Sequence, residues 1–438
     1  MSDKSVDRRP EVQAALVIHP VRPGQGGLRI PQARLDEAVG LAEALDLVIR
    51  DALVAPLRSA TPATLFGKGK VAELGELAAG HEVDVVVIDD ALSPVQQRNL
   101  EKAWQVKVLD RTGMILEIFA RRARTREGKL QVELARLGYE RSRLVRTWTH
   151  LERQRGGLGA MGGPGETQIE TDRRLIAEKI GRMKKELVEV RRTRTLQRDA
   201  RKRAPFPTIA LVGYTNAGKS TLFNRLTEAK VEARNMLFAT LDPTLRTAKL
   251  PDGRPAILSD TVGFISDLPH ELVESFRATL EEVQEADVVL HVRDIASPDS
   301  EAQAADVREV LGQLEIADDR TVVEVWNKID LMPDDERDAA ITRAKRSPNA
   351  AAVSAVTGEG IADLLARLSR LVDDEVAVMA QLRPEEGEAL AWLYRHGRVV
   401  ARREDREGAV HLSLRLNHDA LGRFERLYPR TRLRPAAE

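Results

Sequence analysis

The chain has 438 residues, enough for about three domains of roughly 150 residues each. Hydrophobic residues make up 42% and charged residues 31%, which is typical of a folded globular protein and excludes a disordered or collagen-like chain. Cysteine is absent, so disulfides, thiolate zinc sites and cysteine nucleophiles are excluded. The first residues are polar, and no run approaches the roughly 18 apolar residues of a membrane span. We therefore expect a cytoplasmic protein without stable membrane insertion.

The net charge of zero hides a strong asymmetry along the chain. Residues 121–203 carry 24 Lys and Arg against 11 Asp and Glu, a balance of +13, so the rest of the chain carries −13. A basic segment of this size indicates a polyanionic partner, most plausibly nucleic acid. A solvated helix surface is the alternative.

The first part of the chain is predicted to form a small α/β domain. Residues 12–18 and 83–88 have the apolar character of buried strands, and residues 35–49 have helical spacing. Residues 67–70, Gly-Lys-Gly-Lys, predict a short basic glycine turn, which could approach a phosphate backbone or merely enter a helix at 71–78; the turn is favoured. No phosphate-binding loop of good quality occurs in this part, so a second nucleotide site is doubtful.

The basic segment predicts a long antiparallel helical hairpin. Two apolar stripes with steps of three, four and seven residues indicate two facing helices. The stripes run through Leu130, Leu134, Leu137, Leu144, Trp148 and Leu151, and through Ile169, Ile176, Ile180, Met183, Leu187 and Val190. Between them, residues 155–166 contain six glycines and are expected to form a mobile functional tip, although a plain hinge is the alternative.

The strongest signal is GYTNAGKS at residues 213–220, which matches the phosphate-binding pattern GxxxxGK[ST] between an apolar strand at 209–212 and a helix. The loop N–H groups are expected to wrap the phosphates, Lys219 to bridge the β and γ oxygens, and the Ser220 hydroxyl to ligate Mg²⁺. This pattern alone leaves ATP and GTP open.

Three later motifs favour GTP. Asp260 and Gly263 of DTVG follow a predicted strand at 256–258, where the Asp can hold the magnesium water shell and the Gly N–H can reach the γ-phosphate. Asp330 of NKID follows the strand at 322–326, and its carboxylate can accept two N–H bonds from guanine, which adenine does not offer. Ser354 and Ala355 complete the base-side loop.

A switch segment is expected at residues 238–244, FATLDPT, between the phosphate loop and Asp260. Thr240 is the chosen second Mg²⁺ ligand, with Thr244 as the fallback; γ-phosphate loss would release the segment. The expected catalytic residues are Lys219, Asp260 and Gly263. The expected nucleotide-binding set is Gly213, Tyr214, Thr215, Asn216, Ala217, Gly218, Lys219, Ser220, Thr221, Phe238, Ala239, Thr240, Leu241, Asp242, Asp260, Thr261, Val262, Gly263, Asn327, Lys328, Ile329, Asp330, Ser354 and Ala355.

These motifs, preceded by GGLGAMGGPGETQIETDRR, resemble the HflX-type GTPases over nearly the whole chain. The expected fold class is a multidomain α/β protein. It comprises an N-terminal α/β domain at 1–120, a basic helical hairpin with a glycine-rich tip at 121–204, a doubly wound P-loop G domain at 207–374 and a small α+β appendage at 375–438.

The resemblance implies a Mg²⁺-dependent GTPase, expected to be monomeric, that binds the large ribosomal subunit and helps to split or rescue stalled ribosomes under stress. It also implies that the glycine tip reaches toward the peptidyl transferase centre. The arginines expected to position it flank the tip, with solvation or ion pairing as the alternative; they are Arg153, Arg155, Arg173 and Arg174. The basic hairpin supports rRNA binding independently, because phosphate contacts and shape dominate that recognition.

Two residues bear on hydrolysis. Phe264 occupies the position after DTVG where some GTPases place a water-orienting Gln, so intrinsic hydrolysis is expected to be slow until a partner completes the site. Asn216 resembles the asparagine by which related GTPases hold K⁺ near the phosphates, and a local turn cap is an equal alternative. Two other functional classes stay open: a signalling GTPase whose hairpin binds a protein, and an ATP-driven RNA remodeller.

Overall fold

The computed structural model describes residues 13–22, 29–154, 164–202, 206–227, 237–238, 240–241, 244–268, 282–313, 321–372, 375–405 and 408–435. The chain divides into two compact units, Met1–Leu364 and Leu365–Glu438. Among the helices of these described stretches, none has the length and apolar character needed to cross a membrane.

The first part of the larger unit is an α/β domain with a four-stranded parallel sheet in the order β2-β1-β3-β4. Its strands are β1 Ala14–Val21, β2 Val48–Pro56, β3 Val85–Ile88 and β4 Lys107–Asp110. Its helices are α1 Pro31–Glu43, α2 Lys68–Gly80, α3 Pro94–Trp104 and α4 Arg111–Arg122. The predicted strands at 12–18 and 83–88 correspond to β1 and β3, which confirms the predicted domain class.

Two local predictions in this domain are wrong. The helix predicted over 35–49 ends at Glu43, because Asp46 takes a left-handed conformation with φ 61° and Val48 already begins β2. The basic turn predicted at 67–70 is instead the start of α2: Gly67 is the extended N-cap residue, and Lys68 is the first helical residue. Val71 N donates to the Gly67 carbonyl oxygen at 3.0 Å, which closes the first helical turn over this segment.

Two long helices follow, α5 Arg126–Gln154 and α6 Pro164–Lys202. They run antiparallel, since Arg126 pairs with Glu186 at 2.6 Å and Lys179 pairs with Glu133, also at 2.6 Å. On α6 the predicted apolar stripe lies on the less exposed side of the helix: Leu187, which belongs to the stripe, is buried, whereas its neighbour Val188 is 62% exposed. Helix α6 already begins at Pro164, so the last three residues of the predicted tip are helical; proline suits a first helical turn because it has no N–H to satisfy.

The G domain is a six-stranded sheet in the order β10-β9-β8-β5-β7-β6, parallel except for the edge strand β6. Its strands are β5 Thr208–Gly213, β6 Thr244–Lys249, β7 Pro255–Asp260, β8 Val288–Asp294, β9 Thr321–Asn327 and β10 Ala350–Ala352. Its helices are α7 Lys219–Thr227, α8 Ser300–Gln313, α9 Asp334–Arg346 and α10 Ile361–Leu371, with a 3₁₀ turn at Ile329–Leu331. The five strands predicted here are present, and β6 is an addition.

The smaller unit is a four-stranded antiparallel sheet with two helices, in agreement with the α+β prediction. Its elements are β11 Glu375–Leu382, α11 Gly387–His396, β12 Arg398–Glu404, β13 Val410–Asn417, α12 His418–Leu427 and β14 Leu433–Pro435. The sequence pattern indicates α11, β12 and β13, and it misses β11, α12 and β14.

Within the larger unit, one apolar core joins the N-terminal domain to the G domain. It contains Val17 and Phe119 from the first and Val212 and Phe238 from the second. The rings of Phe119 and Phe238 meet edge to face, with centroids 4.5 Å apart and planes at 83°. The two domains therefore share buried apolar surface.

Candidate nucleotide-binding site

The phosphate loop joins β5 to α7 at the carboxyl edge of the G-domain sheet. Its glycines are required by close approach: a Cβ on Gly213 would lie 2.2 Å from the Val292 carbonyl oxygen, and one on Gly218 would lie 2.2 Å from Asn327 Nδ2. Asn216 is exposed and left-handed, with φ 57°, a conformation that Asn tolerates better than most residues. The loop thus has the backbone shape that its motif predicts.

Lys219 is buried beneath the loop. Its Nζ donates to the carbonyl oxygens of Gly213 at 3.1 Å and Tyr214 at 2.8 Å. Burial lowers the pKa of Lys219 to about 8, and the nearby Asp260 carboxylate only partly opposes that effect. The ammonium is therefore held inside the loop, and an anion bound there would favour its charged form.

Three oxygen-bearing side chains from separate segments converge beside Lys219. Ser220 Oγ donates to Asp260 Oδ2 at 2.7 Å, Thr240 Oγ1 donates to the same oxygen at 2.9 Å, and the two hydroxyl oxygens are 2.9 Å apart. Burial raises the pKa of Asp260, while the Ser220 hydrogen bond and the Lys219 charge lower it. The predicted fallback ligand, Thr244, lies instead at the first position of β6.

This oxygen cluster suits Mg²⁺. Asp260 is fully buried, yet its Oδ1 has no hydrogen-bond partner among the described residues. A buried carboxylate oxygen without a partner is costly, and a hard cation with its water shell would satisfy it. The donor set, two hydroxyls and one carboxylate, contains only the oxygen ligands that Mg²⁺ prefers.

The DTVG segment lies against the phosphate loop. Phe264 N donates to the Gly213 carbonyl at 3.1 Å, and Thr215 N donates to the Phe264 carbonyl at 2.7 Å. Gly263 is so close to Lys219 that an added Cβ would lie 3.0 Å from the ammonium nitrogen. The Phe264 side chain is buried at 2% exposure and brings no polar group to the loop. The absence of a water-orienting side chain at this position therefore persists in the folded chain.

The base-side loops are joined by one buried side chain. Asn327 Nδ2 donates to the Ala217 carbonyl at 2.8 Å, and its Oδ1 accepts from Ala355 N at 3.0 Å. Lys328 takes a left-handed conformation, with φ 67°, and its Nζ pairs with Asp294 Oδ2 at 2.8 Å. These contacts bring the NKID segment, the phosphate loop and the 354–355 loop together.

Two further residues predicted for the base side, Ser354 and Asp330, differ in burial. Ser354 is fully buried, and its Oγ accepts from Thr357 N at 3.0 Å. Asp330 lies in the 3₁₀ turn that follows β9 and is half-buried, which leaves its carboxylate accessible to a base. Of the predicted site residues, Ala239 and Asp242 lie outside the described residues.

The phosphate loop also makes a polar contact with the N-terminal domain, which the sequence pattern does not predict. The Tyr214 hydroxyl, within the phosphate loop, donates to Glu37 of α1 and accepts from Ser266 N at 3.0 Å. Arg111 at the start of α4 donates to the Ser266 carbonyl at 3.1 Å and to its Oγ at 2.9 Å. The aromatic side chain of Tyr214 within the phosphate loop is the one signal for this contact in the sequence.

The charges of this contact are balanced within it. Burial alone would lower the pKa of Arg111, but Asp89 and Glu37 raise it above the usual arginine range. Burial and the Glu37 carboxylate both raise the pKa of Tyr214, so the phenol keeps its proton. The segment just after DTVG is therefore held by a buried guanidinium that belongs to another domain.

The hairpin supplies basic surface, part of which has structural partners. Arg143 stacks on the Tyr139 ring at 4.1 Å and pairs with Asp110 at 2.7 Å. Arg173 and Arg174 are exposed, and Arg174 lies 4.0 Å from Glu178. The structure does not describe the side chain of Arg153, and it describes neither Arg155 nor the tip residues 156–163.

Comparisons with known proteins agree over most of the chain. Family models match as follows: "GTP-binding GTPase N-terminal" at 32–120, "GTP-binding GTPase Middle Region" at 122–201, "50S ribosome-binding GTPase" at 208–328 and "HflX C-terminal domain" at 339–432. The chain is 52% identical over 395 residues to a GTPase HflX of Magnetococcus marinus, covering 90% of each. It is 46% identical over 357 residues to GTPase HflX of Escherichia coli, covering 81% of this chain and 83% of the relative.

Proposed function

The chain belongs to the HflX family of GTPases, and from that premise we propose that it binds the large ribosomal subunit and is stimulated by it to hydrolyse GTP. We propose further that it splits or rescues stalled ribosomes under stress, acting as a monomer in the cytoplasm. GTP hydrolysis itself follows from the family. The ribosomal part is supported by the matched family description and by the basic hairpin.

The observation that carries the GTP assignment is the half-buried Asp330 in the 3₁₀ turn after β9, on a segment that Asn327 joins to the phosphate loop and to the 354–355 loop by two hydrogen bonds. This arrangement fixes the distance between phosphate and base recognition. Asp330, which follows on the same segment, would accept the two guanine N–H groups. An ATP-driven remodeller would have no use for that carboxylate.

The hydrolytic roles follow from the residues beside the phosphate loop. Lys219 would neutralise charge on the β and γ oxygens, and the Gly263 N–H would contact the γ-phosphate. Ser220 and Thr240 would hold Mg²⁺, with Asp260 holding its water shell; the ion supplies charge neutralisation to the phosphates. Thr240 would be released when the γ-phosphate leaves, because closure of the switch segment would depend on the triphosphate.

Slow intrinsic turnover is part of the proposal. Phe264 is buried and apolar, so its side chain cannot orient the attacking water. Contact with the ribosome would rearrange the segment and complete the site. Arg111, which bonds to Ser266 two residues further on, makes the N-terminal domain sensitive to that rearrangement.

A K⁺ ion at Asn216 is a secondary proposal. The residue is exposed at a left-handed position, and the described chain gives its side chain no hydrogen-bond partner, so it caps no turn there. Its amide oxygen is free to take an ion beside the phosphates. Faster GTP turnover in KCl than in NaCl is expected. Equal rates in the two salts would exclude the ion, and an unchanged ratio in Asn216→Ala would exclude Asn216 as its ligand.

The decisive experiment is cosedimentation with purified large subunits in GDP, GTP and a non-hydrolysable GTP analogue, with turnover assayed on the same samples. We expect triphosphate-dependent binding and stimulated hydrolysis. A variant carrying Arg173→Ala and Arg174→Ala is expected to weaken binding in a salt-dependent way. A matched variant with Lys345→Ala and Arg346→Ala, an exposed basic pair on α9, should bind normally.

Two outcomes would defeat the proposal. No binding in any nucleotide state would leave a guanine-nucleotide switch without a ribosomal role. Binding that resists added salt and depends on a protein factor would instead favour a signalling GTPase whose hairpin recognises a protein.

A further inference from the structure

The smaller unit has a specific chain topology. Its elements follow the order β11-α11-β12-β13-α12-β14, and its strands lie in the order β12-β13-β11-β14. All three strand pairs are antiparallel. Numbered within the unit, this is a βαββαβ chain with strand order 2-3-1-4, which sends both helices to one face of the sheet.

The helices cover that face and leave the other open. The core contains Val378 and Leu414 from the sheet, Leu393 from α11 and Phe424 from α12. Because side chains alternate along a strand, the intervening residues point away from the helices. Met379, between two core positions of the central strand β11, is 47% exposed. The second face of the sheet is therefore in contact with solvent.

The strand register arranges the residues of this open face in three rows. Each row crosses neighbouring strands at paired positions. The rows are Ala401, Ser413, Met379 and Arg434; Arg398, Arg415 and Ala377; and Arg403, His411 and Gln381. Four arginines thus surround a polar and apolar centre, and three strand spacings of about 4.8 Å make the surface about 14 Å wide.

Within the described part of this face, acidic residues lie only at its two ends. Glu375 takes the register position opposite Asn417 at one end, and Asp405 lies 3.0 Å from His411 Nε2 at the other. Arg403 and Arg434 are both exposed. Two exposed guanidinium groups, those of Arg403 and Arg434, thus flank a centre of Met379, Gln381 and Ser413 that holds no acidic residue.

We infer that this open sheet face binds single-stranded RNA, as a second nucleic-acid surface besides the hairpin. Guanidinium groups bond to phosphates in a forked geometry and stack on bases, and Met379 offers an apolar contact for a base at the centre. Gln381 and Ser413 can hydrogen-bond to base edges or to the 2′-hydroxyl. The inference rests on the proposed function only for the source of the RNA, which would be rRNA.

The test uses the full chain and a short RNA carrying 4-thiouridine, cross-linked by light and mapped by peptide mass spectrometry. Cross-links are expected on the β11 and β13 peptides that contain Met379 and Ser413. Site-resolved mapping separates them from cross-links to the hairpin. The Arg403→Ala/Arg434→Ala variant should reduce the yield at these peptides. It should also make the dependence of log affinity on log salt shallower by about 1.4, because each of the two phosphate-binding arginines accounts for about 0.7.

Matched controls keep the result interpretable. Arg395→Ala/Arg423→Ala removes two exposed arginines from the helices on the opposite face and should leave the yield unchanged. Arg403→Lys/Arg434→Lys keeps the charge and should restore the salt dependence but only part of the yield. Melting curves of each variant check that the unit stays folded.

Three results would overturn the inference: cross-links confined to the hairpin, equal decreases in the sheet and helix variants, or displacement of the RNA by an equal charge of polyglutamate. The last would indicate an acidic protein partner instead. Large-subunit cosedimentation of the same variants distinguishes the two proposals. Failure to cosediment in the unaltered protein defeats the ribosomal function, whereas missing sheet cross-links with normal cosedimentation defeat only this surface.

Discussion

The two halves of the nucleotide site differ in how completely they are bonded before any ligand binds. On the base side, Asn327 has both of its amide atoms paired, and Lys328 is held by Asp294. On the phosphate side, Asp260 Oδ1 and Thr215 Oγ1 are buried without a hydrogen-bond partner among the described residues. Lys219 meanwhile bonds to the loop's own carbonyl groups.

This difference bears on what the base side and the phosphate side would each contribute to the free energy of nucleotide binding. A preformed base side would recognise guanine with little rearrangement, so affinity for GDP and GTP should share that contribution. In the proposed roles, the phosphate side would gain its missing partners from the nucleotide and its metal ion and would respond to the presence of the γ-phosphate. Selectivity and switching would then be carried by different residues.

The largest expected effect comes from Asp330→Asn. The change replaces a charged acceptor of two guanine N–H groups by an amide, and hydrogen bonds to a charged group contribute about 1.5–3 kcal/mol each. We expect GDP affinity to fall by about three orders of magnitude and affinity for xanthosine diphosphate to rise, measured by competition binding. Asp334→Asn, at the exposed start of α9, is the control. Unchanged GDP affinity would mean that the base does not contact Asp330.

Asn327→Ala tests whether the base side is formed in advance. It leaves the Ala217 carbonyl and the Ala355 N–H buried without partners, at about 1–3 kcal/mol each. The free energy of unfolding in urea should fall by about 3 kcal/mol without nucleotide. Lys328→Ala, which removes a half-buried side chain, should cost far less. An unchanged free energy in the absence of nucleotide would show that the loops join only on binding.

The pH dependence of stability probes the phosphate side. The pKa of Lys219 is about 8 in the folded chain against an ordinary value of 10.5, so the unfolded chain binds more protons between these values. Stability of the nucleotide-free protein should therefore rise with pH from about 8 toward 10.5, by about 2 kcal/mol at pH 9.5 from this group. Lys219→Met, measured alongside at each pH, should lack this increase. Parallel curves would contradict the lowered pKa.

The smallest effect is expected for Asp294→Ala. Its pair with Lys328 is partly exposed, and such pairs contribute about 0.2–1 kcal/mol, or up to about fivefold in GDP affinity. Maximal GTP turnover should not change, because among the described site residues Asp294 contacts Lys328, and its other side-chain bond, accepted from Ala296 N at 3.2 Å, lies within its own loop. Combining the change with Lys328→Ala should add nothing further. Additive effects would show that Asp294 acts by another route.

How far the sequence predicted the site depended on how local the information was. Lys219 and Ser220 are adjacent in one motif, and Asp260 and Asn327 each follow a recognisable apolar strand, so their meeting at one sheet edge could be foreseen. The choice of Thr240 over Thr244 also agrees with the geometry at Ser220 and Asp260. The roles of these residues and the four domain boundaries stay predictions.

The features that the sequence did not predict depend on residues that are far apart in the chain. Glu37, Arg111 and Ser266 meet although successive members are 74 and 155 residues apart, and no periodicity encodes such a contact. Strand β11 contains a short apolar run at 376–380, Val-Ala-Val-Met-Ala, and periodicity alone cannot distinguish such a run from a buried helix segment. The exposed sheet face could be identified only from the strand register, which places arginines from three strands on one face.

The apolar core shared by the N-terminal and G domains has a consequence for biosynthesis. Phe119 is completed by Phe238, which is translated 119 residues later. At roughly 5–20 residues per second the interval is roughly 6–24 s, during which the first domain has emerged with part of its core uncovered. During that interval the nascent chain exposes apolar surface to chaperones and to other unfolded chains. A protein proposed to relieve stalled ribosomes would thus be most prone to misfold when its own translation pauses between these two phenylalanines.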